Sequence, residues 1–222
     1  MSVFLKELCL IDECEPRPAA LNMAVDEALL EEAKAPTLRF YRWRTAALSF
    51  GYFGKFSDVS SEESTREIVR RWTGGGVVPH GNDLTYSFVL PAEERTSAPG
   101  PHEVYRALHE RIAQVLRAAN IAATVAASDA PKRSEACFAN PVRADVLIGA
   151  QKVAGAAQRR TRKGLLHQGS IQGLVLPDGF PSQFASALSH DFRKRDLSTE
   201  VERRAEILLR EKYATEAWLT RR

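Results

Sequence analysis

Arg70-Arg-Trp-Thr-Gly-Gly-Gly-Val-Val-Pro-His-Gly-Asn-Asp-Leu-Thr-Tyr-Ser87 is the densest site-like stretch of the chain. It sets three consecutive glycines between a short apolar strand, Ile68 to Trp72, and a strongly alternating run, Leu84 to Leu90, that ends at Pro91. Glycine admits positive φ and lets backbone approach a ligand closely. Its exposed N–H groups can bind anions or carbonyl oxygens. A Walker-type phosphate loop is excluded because no Gly-Lys-Ser/Thr follows, and the dinucleotide spacing G-x-G-x-x-G is also missing. On spacing alone the run reads as an ordinary hairpin turn. His80, four residues on, is either a structural hydrogen-bond partner or a site residue, and Asp83 reads as a turn residue.

Outward from this stretch the periodicity changes repeatedly. Leu21, Val25, Ala28 and Leu29 recur at helical spacing and predict a helix from Ala20 to Ala35, closed by Pro36. Strands follow at Leu38 to Arg42 and Ala46 to Gly51. Val104, Leu108, Ile112 and Val115 line one face of a helix from His102 to Ala119. Strands are expected at Ile121 to Ala127, Asp145 to Ile148, Lys152 to Thr161 and Gly164 to Leu176, with tight turns at Gly149 and Gly164. A short helix fits Gln183 to Leu188, and a final helix Ser198 to Trp218. Strands cluster around helices without regular βαβ alternation. The expectation is α+β, a single mixed β-sheet domain flanked by helices over residues 1–222.

Composition narrows the function classes. The 222 residues are 44% hydrophobic and 27% charged, a globular balance that excludes a largely disordered chain. No stretch approaches the ~20 apolar residues of a membrane span. Lys6, Glu7, Asp12, Glu13 and Glu15 come too early for a signal-peptide core, so a cytoplasmic protein is expected. A net charge of +3 is a weak footprint for a nucleic-acid binder. Arg159, Arg160, Arg162 and Lys163, and separately Arg193, Lys194 and Arg195, are solvated surface or a dock for an acidic protein. The three cysteines, Cys9, Cys14 and Cys137, lack the spacing of a metal knuckle, and no metal site is expected.

Cys137 stands apart because it follows the polar segment Asp129 to Ala136. A nearby cation makes a thiol a better nucleophile. Lys152 is a candidate cation and opens a strand of small residues, Val153-Ala-Gly-Ala-Ala157, with room for a bound chain. Spacing alone fits equally a half-buried cysteine and a surface lysine. His167 suits a Cys–His pair, or a packing role.

Four segments together resemble the biotin/lipoate protein ligase superfamily, in its lipoate–protein ligase A and cysteine-dependent octanoyltransferase branch. They are Leu21-Asn-Met-Ala-Val-Asp-Glu27, Arg70-Arg-Trp-Thr-Gly-Gly-Gly76 with His80, Lys152-Val-Ala-Gly155 and Leu166-His-Gln-Gly-Ser170. The resemblance implies the catalytic-domain fold of that superfamily. Octanoyltransferases of this kind carry Cys-Phe shortly before Lys-Val-Ala-Gly, as Cys137-Phe138 stands before Lys152 here. Ligases lack the cysteine and often carry a C-terminal accessory domain, which would need more chain than remains. One departure is the order His167-Gln168 where octanoyltransferases have Gln-His. It moves the histidine to the other face of a strand.

The resemblance implies that Cys137 and Lys152 are catalytic. It implies that Arg71, Thr73, Gly74, Gly75, Gly76, His80, Val153, Gly155, Ala156, His167 and Gly169 surround the acyl chain, with backbone N–H groups near Gly155 and Ala156 for an oxyanion. Cys137 would take an octanoyl group from acyl carrier protein and pass it to the lysine of a lipoyl domain. The acceptor would be a glycine cleavage H protein or a 2-oxoacid dehydrogenase E2. No cofactor is then required. Three alternatives remain: a lipoate–protein ligase using ATP and Mg, an octanoyl amidotransferase between lipoyl-bearing proteins, and a non-enzymatic binder of lipoyl domains.

Overall fold

A computed structural model describes residues 5–96, 100–129 and 140–221. Its strands are β1 (Glu7–Asp12), β2 (Thr37–Tyr41), β3 (Ala47–Phe50), β4 (Glu67–Arg70), β5 (Val78–His80), β6 (Leu84–Pro91), β7 (Ala123–Val125), β8 (Val146–Ile148), β9 (Gln151–Thr161), β10 (Gly164–Ile171) and β11 (Asp191–Lys194). Eight of them form one mixed sheet in the order β11-β1-β2-β6-β10-β9-β8-β7, and the small sheet β4-β3-β5 stands apart. The helices are α1 (Ala19–Glu32), α2 (Pro101–Ala118), α3 (Phe180–Leu188), α4 (Thr199–Leu208) and α5 (Glu216–Leu219). This is the mixed α+β architecture expected from the pattern.

Strand alternation sends side chains to opposite faces of the large sheet. Leu38 and Phe40 of β2 and Leu84, Tyr86, Phe88 and Leu90 of β6 join one core with Val104, Leu108 and Ile112 of α2 and Phe180, Phe184 and Leu188 of α3. Tyr41, Val89 and Leu166 join the other with Met23, Val25, Leu29 and Leu30 of α1 and Val201, Ala205 and Leu208 of α4. Each fully buried large apolar side chain contributes about 1.5–3 kcal/mol. The second core also holds charge. Arg39 and Asp26, neither exposed, pair at 2.7 Å, and Ser87 and Gln168 each donate to Asp26 at 2.7 Å.

The structure moves several expected boundaries. The helix expected over Ser198 to Trp218 breaks into α4, a π-helical turn Leu209–Tyr213 and α5, because Thr215 leaves the helix and caps α5 by accepting from Trp218 N at 3.2 Å. β10 ends at Ile171 rather than Leu176, ahead of Gly173 at φ 73°. β1, β5 and β11 are additional strands. β11 pairs with β1 at the sheet edge and carries Arg193 and Lys194 of the second basic cluster. Charged side chains on an edge strand discourage further pairing. Among the described residues no helix is long and apolar enough to cross a membrane.

Candidate functional site

Lys152 is buried, and its Nζ lies 2.8 Å from Asp145 Oδ2. The hairpin β8–β9 explains how seven residues of separation become contact. Ile148 pairs with Gln151 across a tight Gly149-Ala150 turn, and Leu147 pairs with Lys152. Val146 then pairs with Ala154, so Val153 is an extra residue, a β-bulge. In a regular strand residues three apart face opposite ways. Here the bulge lets the Lys152 side chain fold over Gly155: a Cβ built at Gly155 would overlap Lys152 Cε and stand 2.6 Å from Nζ. The Lys-Val-Ala-Gly spacing is therefore a mechanical unit: lysine, bulge residue, small residue, and a glycine whose missing side chain houses the amine.

Asp145 is held on every side. Its Oδ2 also accepts from Val142 N at 2.7 Å, and its Oδ1 accepts from the Tyr105 hydroxyl. Tyr105 Oη in turn accepts from Ala156 N at 3.1 Å. That contact corrects one expectation: the Ala156 N–H, assigned above to an oxyanion, is occupied by Tyr105. Burial and the neighbouring Asp145 raise the Tyr105 pKa well above its ordinary value, so its hydroxyl stays protonated and donates.

The two arginines of the glycine run divide the work of shaping it. Arg70 donates to the carbonyls of Tyr52, Gly54, Trp218, Leu219 and Arg221 at 2.7–3.2 Å, tying the C-terminal turn to β4. Arg71 donates to the carbonyls of Gly74 and Gly76 at 3.1 and 2.8 Å and to Ser49 Oγ at 2.7 Å. Gly75 takes φ 86°, and its carbonyl leaves no room for a side chain at Gly51. Ser49 Oγ lies 2.6 Å from His80 Nε2, and His80 Nδ1 lies 2.8 Å from Asp83 Oδ2. Asp83 also accepts from Thr85 and Ser170, and Trp43 stacks on the imidazole at 4.0 Å. Burial would raise the Asp83 pKa, but the hydrogen bond from His80, then those from Ser170 and Thr85, bring it down to about 2. Burial keeps the His80 pKa below its ordinary value against the pull of Asp83, so the ring is neutral and Nε2 accepts from Ser49. The order Ser–His–Asp is that of a nucleophile relay, but Ser49 is mid-strand, fully buried and engaged by Arg71. Its role is to hold Arg71, and through it the glycine loop.

Two cavities meet at Ala156 and Ala157. The inner one encloses about 420 Å³, mouth included, between Met23, Tyr41, Trp43, Val78, Gly155 and Gly169, with Ser49, Arg71, His80, Gln168 and Ser170 as its polar wall. Apolar walls with a few convergent polar groups are the lining of a small-molecule site. The outer cleft runs past Gly74, Gly75, Tyr105, Gln158, Asp129 and Val142. Of the expected acyl-binding residues, Arg71, His80, Gly155, Ala156 and Gly169 line the inner cavity, and Gly74 and Gly75 the outer cleft. Thr73 is buried behind them and donates to Gln168 Oε1 at 2.8 Å, while Gly76 offers its carbonyl to Arg71. Val153 packs in the α2 core. His167 is on the α2 face of β10 as well, fully buried beside Tyr86 and Tyr105, whereas Gln168 faces α1 and the cavity. Cys137 and most of the segment before it lie outside the described residues; Asp129 and Val142, on either side, border the outer cleft. Among the described residues no group of His, Cys, Asp or Glu could hold a metal ion. Sequence reasoning missed Asp145, Tyr105 and His109. The signal for Asp145 was the hairpin count across Gly149, which sets Val146, the residue after Asp145, opposite Ala154, two residues past Lys152.

Comparison with known proteins bears on the family and the fold. The family model for the lipoyl protein ligase A/B catalytic domain matches residues 18–207. Octanoyltransferase LipM of Oceanobacillus iheyensis is 38% identical over 168 residues, 72% of this chain and 62% of the relative. Octanoyltransferase LipM of Brevibacillus brevis is 30% identical across 94% of this chain and 97% of the relative, and that of Bacillus subtilis 36% across 72% and 63%. The chain thus spans less than two thirds of two of these three relatives. Among solved structures, a lipoate-protein ligase A bound with ATP superposes with a TM-score of 0.72 at 22% identity, covering 97% of this chain and 98% of that one. A bi-partite lipoate protein ligase from Thermoplasma acidophilum superposes with 0.68 at 22%, covering 97% and 96%. These two show a shared fold. With 190 of its residues inside the family model, this chain belongs to the lipoyl protein ligase A/B catalytic domain family.

Proposed function

We propose that this protein is an octanoyltransferase that works through a Cys137 thioester in protein lipoylation. The observation that carries the reading is 30–38% identity to proteins named octanoyltransferase LipM, on a chain that keeps both Cys137-Phe138 and Lys152-Val-Ala-Gly155. The Cys137 thiolate attacks the carbonyl of an octanoyl thioester on acyl carrier protein. A new C–S bond forms, the carrier's C–S bond breaks, and the carrier thiolate takes up a proton. The ε-amine of a lysine on a lipoyl domain then attacks the acyl-cysteine. A C–N bond forms, Cys137 leaves as thiolate, and the amine's proton departs. Lys152, fixed by Asp145, holds or relays the proton in both steps. The apolar walls of the inner cavity take the acyl tail, each buried methylene being worth about 0.8 kcal/mol. The fold neighbour bound with ATP supports the second reading, a ligase that first activates a free acid.

The donor separates the two. A thioester is already activated, and amide formation from it runs downhill. With octanoyl-acyl carrier protein and an apo lipoyl domain, the chain is expected to octanoylate the domain equally with and without ATP and Mg. Modification only from free lipoate or octanoate plus ATP would overturn the transferase reading.

A further inference from the structure

Beneath the Lys152–Asp145 pair the α2 face holds a second polar chain. His109 Nδ1 lies 2.7 Å from the carbonyl oxygen of Ala144, which can only accept, so Nδ1 carries the hydrogen. Burial drives the His109 pKa down to about 4, against Asp145 and this carbonyl, so Nε2 is a bare acceptor. Tyr86 Oη, 3.1 Å away, donates to it. Tyr86 Oη then accepts from His167 Nε2 at 3.1 Å, and His167 Nδ1 accepts from Gln158 Nε2 at 3.0 Å. One arrangement of protons satisfies the whole chain, and it fixes both imidazole tautomers.

The chain ends on a strained residue. Ala144 takes φ 71°, a conformation that costs a residue with a Cβ free energy unless its surroundings enforce it. The carbonyl gripped by His109 and the N–H of Asp145 belong to one peptide unit. That N–H donates to Val142 O at 3.0 Å, and Ala144 N donates to Ala126 O at 2.8 Å. The peptide plane preceding Asp145 is thus held at both edges. Asp145 is the carboxylate that sets Lys152.

We propose that His109 is a positioning residue for acyl transfer: its Nδ1–H clamps the Ala144–Asp145 peptide and so fixes the Asp145–Lys152 pair. The inference rests on the reading of Lys152 as the proton-handling lysine. His109 lines neither cavity, and its effect passes through Ala144 and Asp145.

The test combines three substitutions. His109→Phe removes the donor, and kcat is expected to fall about a hundredfold, the scale of an ångström's misplacement, with KM for the acyl donor nearly unchanged. Ala144→Gly accepts φ 71° without strain, and in the His109→Phe background it is expected to restore about tenfold of that loss. His109→Asn keeps a donor where Nδ1 stood but abandons Tyr86; it is expected to lower stability while retaining kcat within a few-fold. A His109→Phe enzyme with wild-type kcat would overturn the proposal. So would a loss that Ala144→Gly does not relieve, or a loss that His109→Asn shares in full. Should the wild type show no transfer at all, the functional reading fails by itself. The clamp is then judged by amide hydrogen exchange at Asp145, expected to be fast in His109→Phe and slow in the wild type; equal exchange would overturn it.

Discussion

Gly155→Ala is expected to cost acyl transfer about a hundredfold and to lower stability as well, because the displaced lysine leaves the buried Asp145 without its counter-charge. A Cβ at this position would overlap Lys152 Cε, stand 2.6 Å from Nζ and approach Asp145 Oδ1 to 3.3 Å. The nearest atoms are the far end of a flexible lysine, which can swing away at little conformational cost. What it loses is its place on Asp145, and misplacement of a reacting group by about an ångström is worth about 10²-fold in rate. Gly169→Ala is the contrasting control. A Cβ there would run into the Tyr86 ring, a fully buried aromatic in the α2 core, so the cost falls on stability. Overpacking of this kind costs about 1–3 kcal/mol. The measurement pairs single-turnover transfer rates with urea midpoints for both variants. If Gly155→Ala keeps wild-type kcat, the lysine does not work from the position described.

Stability is expected to fall as pH drops from 7 toward 4. His80, His109 and His167 are buried and neutral, each with its pKa depressed by burial. Between the folded and unfolded pKa values the unfolded chain binds the proton and the native state does not, so acid favours unfolding there. For His109, the displacement from 6.5 to about 4 alone corresponds to about 3 kcal/mol lost across that window. Asp83 acts lower on the scale. Its pKa of about 2 contributes stability that is complete above about 4 and disappears as pH falls through 2. Urea midpoints at pH 7.0, 5.5 and 4.5 check this. His109→Phe is expected to be less stable at pH 7 and to show a shallower decline. Equal slopes for the two proteins would contradict the assignment of a buried neutral imidazole at this position.

How much of this was legible beforehand depended on whether a signal was local. α1 and α2 were readable because several turns of helical periodicity reinforce each other, and Pro36 marks the end of the first segment. β6 was readable from alternation bounded by proline. β11 was not, since an edge strand of alternating Asp, Phe, Arg and Lys looks like solvated loop until β1 lies beside it. The glycine run and the Lys-Val-Ala-Gly spacing could be read as sites only through their joint resemblance to a family. Their reasons are tertiary. Arg71 shapes the loop through carbonyls, which have no sequence signature, and the bulge at Val153 appears only once β8 fixes the register. His167 illustrates the same limit. The resemblance put it among the residues around the acyl chain, yet it lines neither cavity and packs among Tyr86, Tyr105 and His109, which come from elsewhere in the chain.

The central claim is a covalent octanoyl-Cys137 intermediate, and intact-mass spectrometry tests it directly. The protein is mixed with octanoyl-acyl carrier protein, without nucleotide and without acceptor. The account predicts a mass increase of one octanoyl group that is lost in Cys137→Ser, maps to Cys137 and disappears when apo lipoyl domain is added, with the group recovered on the domain. An unmodified protein that nonetheless octanoylates the domain, or an adduct that survives Cys137→Ser, would contradict it.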